Sequence, residues 1–315
     1  MNGALGPSDR RVRPDGGMRG DTRSLRPVGS LYGYEVISEL PLGRLNRARG
    51  ARGTINVRRV AADIEDQPGR LTGYLETPGA GGWFAQAETA DGCLLSCSRS
   101  GAFHLDPEAM RIDVAPRTDG EEFEHRLATA AFCTLLAMRG DLVLHASAIE
   151  AGFGAVAFCG PSHRGKSTLA RALGELGHPV LAEDGAVIER RAGGPMVLPG
   201  ARGVRVRRSE NGSTLTELAP DPGPREPGPS PLAALVVLGE RGESLKAEWL
   251  DRATALALLT SNLTHTGGRD SLARAFASLA RVLHTVPVLR ASLPDDLAAL
   301  PGSAQEVLRI ASSPR

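Results

Sequence analysis

The chain has 315 residues, 41% apolar, 4% aromatic and 23% charged, with 38 glycines and 22 prolines, the make-up of a folded protein long enough for two domains. Its 37 basic and 36 acidic residues leave a net charge of +1, so no overall field draws it to nucleic acid or an anionic membrane, and neither is expected as a partner. No apolar run approaches the roughly 18 residues of a membrane span, and the first thirty residues lack the apolar stretch of a signal peptide, so a cytoplasmic location is expected.

Residues 1–28 mix Gly, Pro, Arg and Asp without apolar periodicity and are expected to be a disordered, Arg-rich tail; a basic arm that touches a partner is the alternative, and Met18 is an alternative start. From 29 to 118, short runs broken by Gly and Pro (YGYEVIS, GTINVRRV, LTGYLETP, WFAQAETA, CLLSCS, AFHLDP, MRIDVAP) read as strands of a smaller, β-rich N-terminal domain. Cys93, Cys97, Cys133 and Cys159 include one x3-spaced pair without a second pair or a nearby His, so reduced, buried thiols are expected and no zinc set. In EEFEHRLATAAFCTLLAMRG, Phe123, Leu127, Ala131, Leu135 and Met138 recur at helical spacing and Gly140 ends the run. This predicts a helix over about 120–139, opening a second domain of 119–315.

LVLHASAIE and GAVAFCG then read as strands, GKSTLARALGELG as a helix ending at Gly177 and HPVLAED as a further strand, together a βαβ-like unit. VLPGARGVRVRR is a loop and strand, and PDPGPREPGPSP is expected to be a mobile surface loop. LAALVVLGE is a buried strand, ATALALLTSNLTH and RDSLARAFASLARVLH are amphipathic helices, VPVLRASL is a strand and QEVLRIA a short final helix.

Within this order, GPSHRGKS (Gly160 to Ser167) fits G-x-x-x-x-G-K-[ST] between a strand and a helix, the setting of a phosphate-binding loop. Gly160 and Gly165 let the backbone curl so that its N–H groups, through Ser162, His163 and Arg164, point inward, and the following helix adds the positive end of its dipole. Lys166 is one of two lysines in an Arg-rich chain, the other being Lys246, and a compact ammonium suits the space between phosphate oxygens. ATP and Mg²⁺ are therefore expected, with Lys166 between the β- and γ-phosphates, the Ser167 hydroxyl on Mg²⁺ and Thr168 near the α-phosphate. Glu183 and Asp184 close the strand after the loop's helix, where one acid can hold Mg²⁺ with Ser167 while its neighbour takes a proton. Arg202 and Arg205, after the Pro199-Gly200 turn, are candidates for contacts to the acceptor or the transition state.

LHASAIEAGFGAVAFCGPSHRGKSTLARALGELGHPVLAEDGAVIE resembles the catalytic core of the HPr kinase/phosphorylase family, and more closely its shorter relatives. The resemblance runs through a strand with His, a hairpin, the phosphate loop and a G-H-x-x-x-A-[DE]-D strand, and covers about residues 120–300. It implies an α/β fold, a P-loop kinase core of the HPr kinase and phosphoenolpyruvate carboxykinase type, that phosphorylates a serine hydroxyl. It also implies roles: Asp184 near the metal, Glu183 where the family's proton-accepting Asp stands, and His145 at the active site. Short relatives modify ribosomally made precursors, including lasso peptides, so a peptide or small-protein acceptor is expected, and a homo-oligomer is compatible with the family. A kinase of a small metabolite or sugar, and an ATP-binding switch without transfer, remain alternatives. The resemblance does not extend to residues before 120.

Overall fold

The computed structural model describes residues 25–47, 51–77, 82–118, 120–162, 164–210, 213–219, 227–266 and 269–313; for 76–77, 204–210 and 213–219 the backbone alone is described. The strands β1 (Arg26–Leu31), β2 (Tyr34–Ser38), β3 (Thr54–Arg59), β4 (Arg70–Thr77), β5 (Gly82–Glu88), β6 (Cys93–Cys97), β7 (Gly101–Asp106) and β8 (Arg111–Pro116) form one sheet in the order β1-β2-β3-β8-β7-β6-β5-β4. Alternate residues give it an apolar face, with Val36, Ile55, Val57, Leu95, Phe103, Leu105, Ile112 and Val114 buried in one cluster. Phe123, Leu127, Phe132 and Leu136 from the following helical segment cover that face.

Two expectations change here. The tail expected to extend to residue 28 stops earlier, because Arg26 already pairs with Ser38 as β1 joins β2 through backbone bonds that side-chain periodicity does not reveal; residues 1–24 lie outside the described residues. The single helix expected over 120–139 is three pieces: α1 (Glu121–Arg126), a π turn (Leu127–Ala131) in which Phe132 N–H reaches back five residues to Leu127 O, and α2 (Phe132–Met138).

The second sheet contains β9 (Leu142–Leu144), β10 (Ala146–Glu150), β11 (Ala155–Cys159), β12 (Val180–Ala182), β13 (Ala186–Arg191) and β14 (Gly194–Val197), with α3 (Lys166–Glu175) between β11 and β12. After a two-stranded ribbon, β15 (Val204–Glu210) with β16 (Ser213–Ala219), the sheet is completed by β17 (Ser230–Leu238), β18 (Lys246–Trp249) and β19 (Val288–Ser292). Most of the Pro/Gly-rich stretch, residues 220–226, where a mobile loop was expected, lies outside the described residues. α4 (Arg252–Thr260) and α5 (Arg269–Val282) precede β19, and α6 (Leu300–Ala311) follows it, starting earlier than QEVLRIA suggests because Pro301 fits the first helical turn.

β17 is the shared strand: it runs parallel to β11 and β19, while its opening residues Ser230 and Pro231 pair with β14 and so connect to β13 and β9. The βαβ-like unit is split, since β10 lies between β11 and β12, antiparallel to both. Val156 and Phe158 on one face of β11 pack with Leu169 and Leu173 of α3 and Val307 of α6, and Ala155 and Ala157 on the other share a core with Leu259 of α4 and Leu279 of α5. Helices on both faces follow from strands that are apolar throughout. Among the described residues, no helix is long and apolar enough to cross a membrane.

Candidate active site

Two strands change ladders at the same place. The run read as one strand, LVLHASAIE, pairs with β13 as β9 and with β12 as β10, and His145 sits at the change. The chain opposite does the same between β12 and β13, and its change spans Glu183, Asp184 and Gly185. His145 and the two acids therefore face one another where the ladders part, beside the carboxyl end of β11, the end at which α/β sheets bind ligands. Asp184 has φ +64°, a left-handed conformation that Asp tolerates better than most residues and that clusters at functional sites.

β11 ends at Cys159 and α3 begins at Lys166, so residues 160–165 form the loop. Gly160 (φ +140°) passes so close to β17 that a Cβ would stand 3.0 Å from Leu238 O, and a Cβ on Gly165 (φ +94°) would stand 2.9 Å from an Arg241 guanidinium nitrogen. Asn262, just beyond α4, ties the loop to the His145 change: its Nδ2 donates to Gly160 O at 3.1 Å and His145 O at 3.3 Å, and its backbone carbonyl accepts from His145 N–H at 2.7 Å. Lys166 is buried, its Nζ donating to Gly160 O at 2.8 Å and Pro161 O at 3.1 Å. Burial pulls its pKa below the usual lysine value although Asp184, Cys159 and Glu183 oppose that shift.

Ser167 Oγ donates to Glu183 Oε1 at 2.7 Å, and the Glu183 side chain is only 3% exposed against 22% for Asp184. His145 Nδ1 stands 3.1 Å from Asp184 Oδ1 and 3.2 Å from the Asp184 carbonyl. The structure thus brings Lys166, Ser167, Glu183, Asp184 and His145 together. Thr168 is exposed on the first turn of α3, Ser162 is exposed on the loop, and Arg164 pairs with Glu240 at 3.1 Å; His163 lies outside the described residues. Arg202 belongs to a seam instead: its N–H donates to Arg44 O at 2.8 Å, while Tyr32 N–H donates to Pro199 O and Asn46 Nδ2 to Gly200 O. Arg205 lies in β15, where the backbone alone is described.

Three contributors were not read from the sequence. Asn262 is one. Tyr32, at the turn between β1 and β2, donates its hydroxyl to Gly185 O at 3.1 Å and accepts from Cys133 Sγ at 3.4 Å, so the first sheet supports the acid loop. His125, buried at the end of α1, faces both acids, with Nδ1 3.9 Å from Glu183 Oε2 and Nε2 3.5 Å from Asp184 Oδ2. A sequence signal for the wide turn beyond it exists: Phe123, Leu127, Ala131 and Leu135 are spaced by four, which drifts about 40° per step on a regular α-helix.

The donor set fits a phosphate-bound Mg²⁺, which takes a hydroxyl, one or two carboxylates and phosphate oxygens rather than a cage of protein ligands. Ser167 Oγ and Glu183 Oε1 are already within hydrogen-bond distance, and among the described residues no group of three or more His, Cys, Asp and Glu is arranged to hold a metal alone.

Against solved structures, the chain is similar to an HPr(Ser) kinase/phosphatase from Coxiella burnetii, at 13% identity over 53% of this chain and 88% of that one, with a TM-score of 0.32. That TM-score is too low to carry fold or activity across. No family model matches the chain, and no curated protein matches its sequence.

Proposed function

We propose that the protein is an ATP-dependent serine kinase that transfers the γ-phosphoryl group of ATP to a Ser hydroxyl of a peptide or small protein, a ribosomally made precursor of the lasso type being the acceptor that the sequence resemblance favours. The observation that carries the reading is the pairing of two differently placed acids with one phosphate loop: Glu183 bonded to Ser167 at 2.7 Å, and the more open Asp184 held by His145 at 3.1 Å. A module that only binds nucleotide has no use for the second acid.

In the reaction, the acceptor oxygen bonds to the γ-phosphorus, the bond to the β,γ-bridging oxygen breaks, and ADP leaves while the hydroxyl proton passes to a carboxylate. Mg²⁺, when bound, offsets the phosphate charge. Lys166 turns from the Gly160 and Pro161 carbonyls toward phosphate, and the loop N–H groups hold it. Exposure favours exchanging the expected roles of the acids. Glu183, sealed against Ser167, belongs with the metal, and Asp184, open to an incoming hydroxyl and aimed by His145, is the better base.

The test is intact-mass measurement of peptides, some ending in Ser, incubated with the protein, ATP and Mg²⁺. Added phosphate with wild type and none with Lys166→Ala supports the kinase. Asp184→Asn is expected to keep nucleotide affinity and lose transfer by about 100- to 10,000-fold, the range for a general base. Glu183→Gln is expected to weaken Mg²⁺-dependent nucleotide binding. ATP consumption only with a small-molecule extract would make this a metabolite kinase, and binding without turnover would make it a switch.

A further inference from the structure

We propose that His125 is a positioning residue of this site, holding Asp184 from the side opposite His145 and spacing it from Glu183; the inference rests on the kinase reading for its catalytic consequence and on geometry for the rest. His125 is 1% exposed, and its Nε2 is buried without a hydrogen-bond partner, 3.5 Å from Asp184 Oδ2. A buried polar nitrogen left in that state is unfavourable relative to an apolar side chain of the same shape, so packing alone does not account for an imidazole here. Its other nitrogen faces Glu183, and in either tautomer the ring presents an N–H to one acid. Contacts of this length at catalytic groups tighten when ligand is bound.

The backbone beneath His125 is built to deliver it. On an uninterrupted α-helix, residues 125 and 133 stand about 80° apart; the extra residue taken up by the π turn brings them within about 20°. His125 and Cys133 consequently reach the same loop: His125 meets the two acids, and Cys133 lies so close to Gly185 that a Cβ there would stand 2.5 Å from its Sγ. The His125 carbonyl accepts from Thr129 Oγ1 at 2.8 Å, a side-chain bond that ties the end of α1 to the π turn. Asp184, left-handed and outside both ladders, has no regular backbone to aim it. His145 holds Oδ1, and His125 faces Oδ2.

The experiment compares His125→Phe, which keeps a ring of similar volume without either nitrogen, with His125→Gln, whose amide nitrogen can occupy the place of Nε2. Transfer kinetics, calorimetric affinity for ADP with and without Mg²⁺, and thermal unfolding are measured on the full chain. For His125→Phe we expect kcat about 10- to 100-fold lower, the usual effect of losing a residue that orients a site group, with KM for ATP within about threefold and the Mg²⁺ enhancement of ADP affinity reduced. His125→Gln should recover most of both. Wild-type kcat and Mg²⁺ enhancement in His125→Phe overturn the proposal, as do equal losses in both variants accompanied by equal falls in Tm. If wild type transfers no phosphate, the kinase reading fails, and the Mg²⁺ enhancement alone decides the role of His125.

Discussion

Replacing Tyr32 by Phe removes a single oxygen from the joint between the first sheet and the acid loop. The ring is 1% exposed and stays in place, but Gly185 O loses its donor at 3.1 Å in a buried setting, while Cys133 Sγ retains the Ala128 carbonyl at 3.8 Å. One net hydrogen bond plus the cost of an orphaned carbonyl gives about 1–3 kcal/mol. At the middle of that range, Tm falls by about 4–8 °C for a chain of a few hundred residues. Urea unfolding followed by far-UV circular dichroism reads the free energy directly. Burial holds the Tyr32 hydroxyl well above the usual phenol range, so it stays protonated and the loss should be the same at pH 6 and pH 9. Because Gly185 follows Asp184, kcat should fall with little change in nucleotide affinity. A stability change under about 0.5 kcal/mol, within the scatter of ordinary surface substitutions, or one that vanishes at pH 9, refutes the assignment of this hydroxyl as a joint.

A second tie between the sheets is Arg52, which meets both oxygens of Asp141 at 2.8 and 2.9 Å and Glu189 at 2.9 Å, all partly buried. Arg52→Met should cost about 3 kcal/mol at pH 8 by leaving the partly buried Asp141 without its cation, while Glu189 keeps Arg191. Burial raises the Asp141 pKa and Arg52 opposes it. Without Arg52 the folded value rises further above the unfolded one, a penalty absent below the unfolded value that grows as pH rises through the folded value. The variant's deficit should therefore be smaller at pH 5 than at pH 8, and equal urea midpoint shifts at the two pH values would contradict this. All four cysteines are buried and free, and burial pushes the thiols of Cys93, Cys133 and Cys159 up to about 12. Iodoacetamide at pH 8 should leave the native mass unchanged and add four groups after unfolding in urea; labelling of native protein would show that these thiols open to solvent.

What could be read from the sequence was what one short stretch specifies by itself. GPSHRGKS carries both its conformation, through Gly160 and Gly165, and the residues of the proposed chemistry, Lys166 and Ser167, and the acids follow within a single helix and strand. Most helices and strands were legible for the same reason, since apolar spacing is local, although the π turn in the first helical segment and the start of α6 were not. The strand order was not: β10 inserts between β11 and β12, and LVLHASAIE divides at His145, because pairing partners are chosen across the chain by hydrogen bonds that leave no periodic mark. Exposure of the two acids was likewise invisible. They are neighbours in sequence, yet Glu183 is sealed by Ser167 and Asp184 turns outward at φ +64°, a difference on which the proposed roles of the two acids rest. The same limit separates the residues to which the proposed reading gives chemistry from those to which it gives aim. Lys166, Ser167, Glu183 and Asp184 fall within nineteen consecutive positions, whereas Tyr32, His125 and Asn262 come from three distant segments, at a turn between two strands, before a π turn and just past a helix end, and meet the acids or the loop only in the folded chain. A phosphate loop can be carried on a strand and a helix alone, but a left-handed Asp184 lies outside both ladders, so on the proposed reading the parts of the site that set its precision are the parts a motif does not contain.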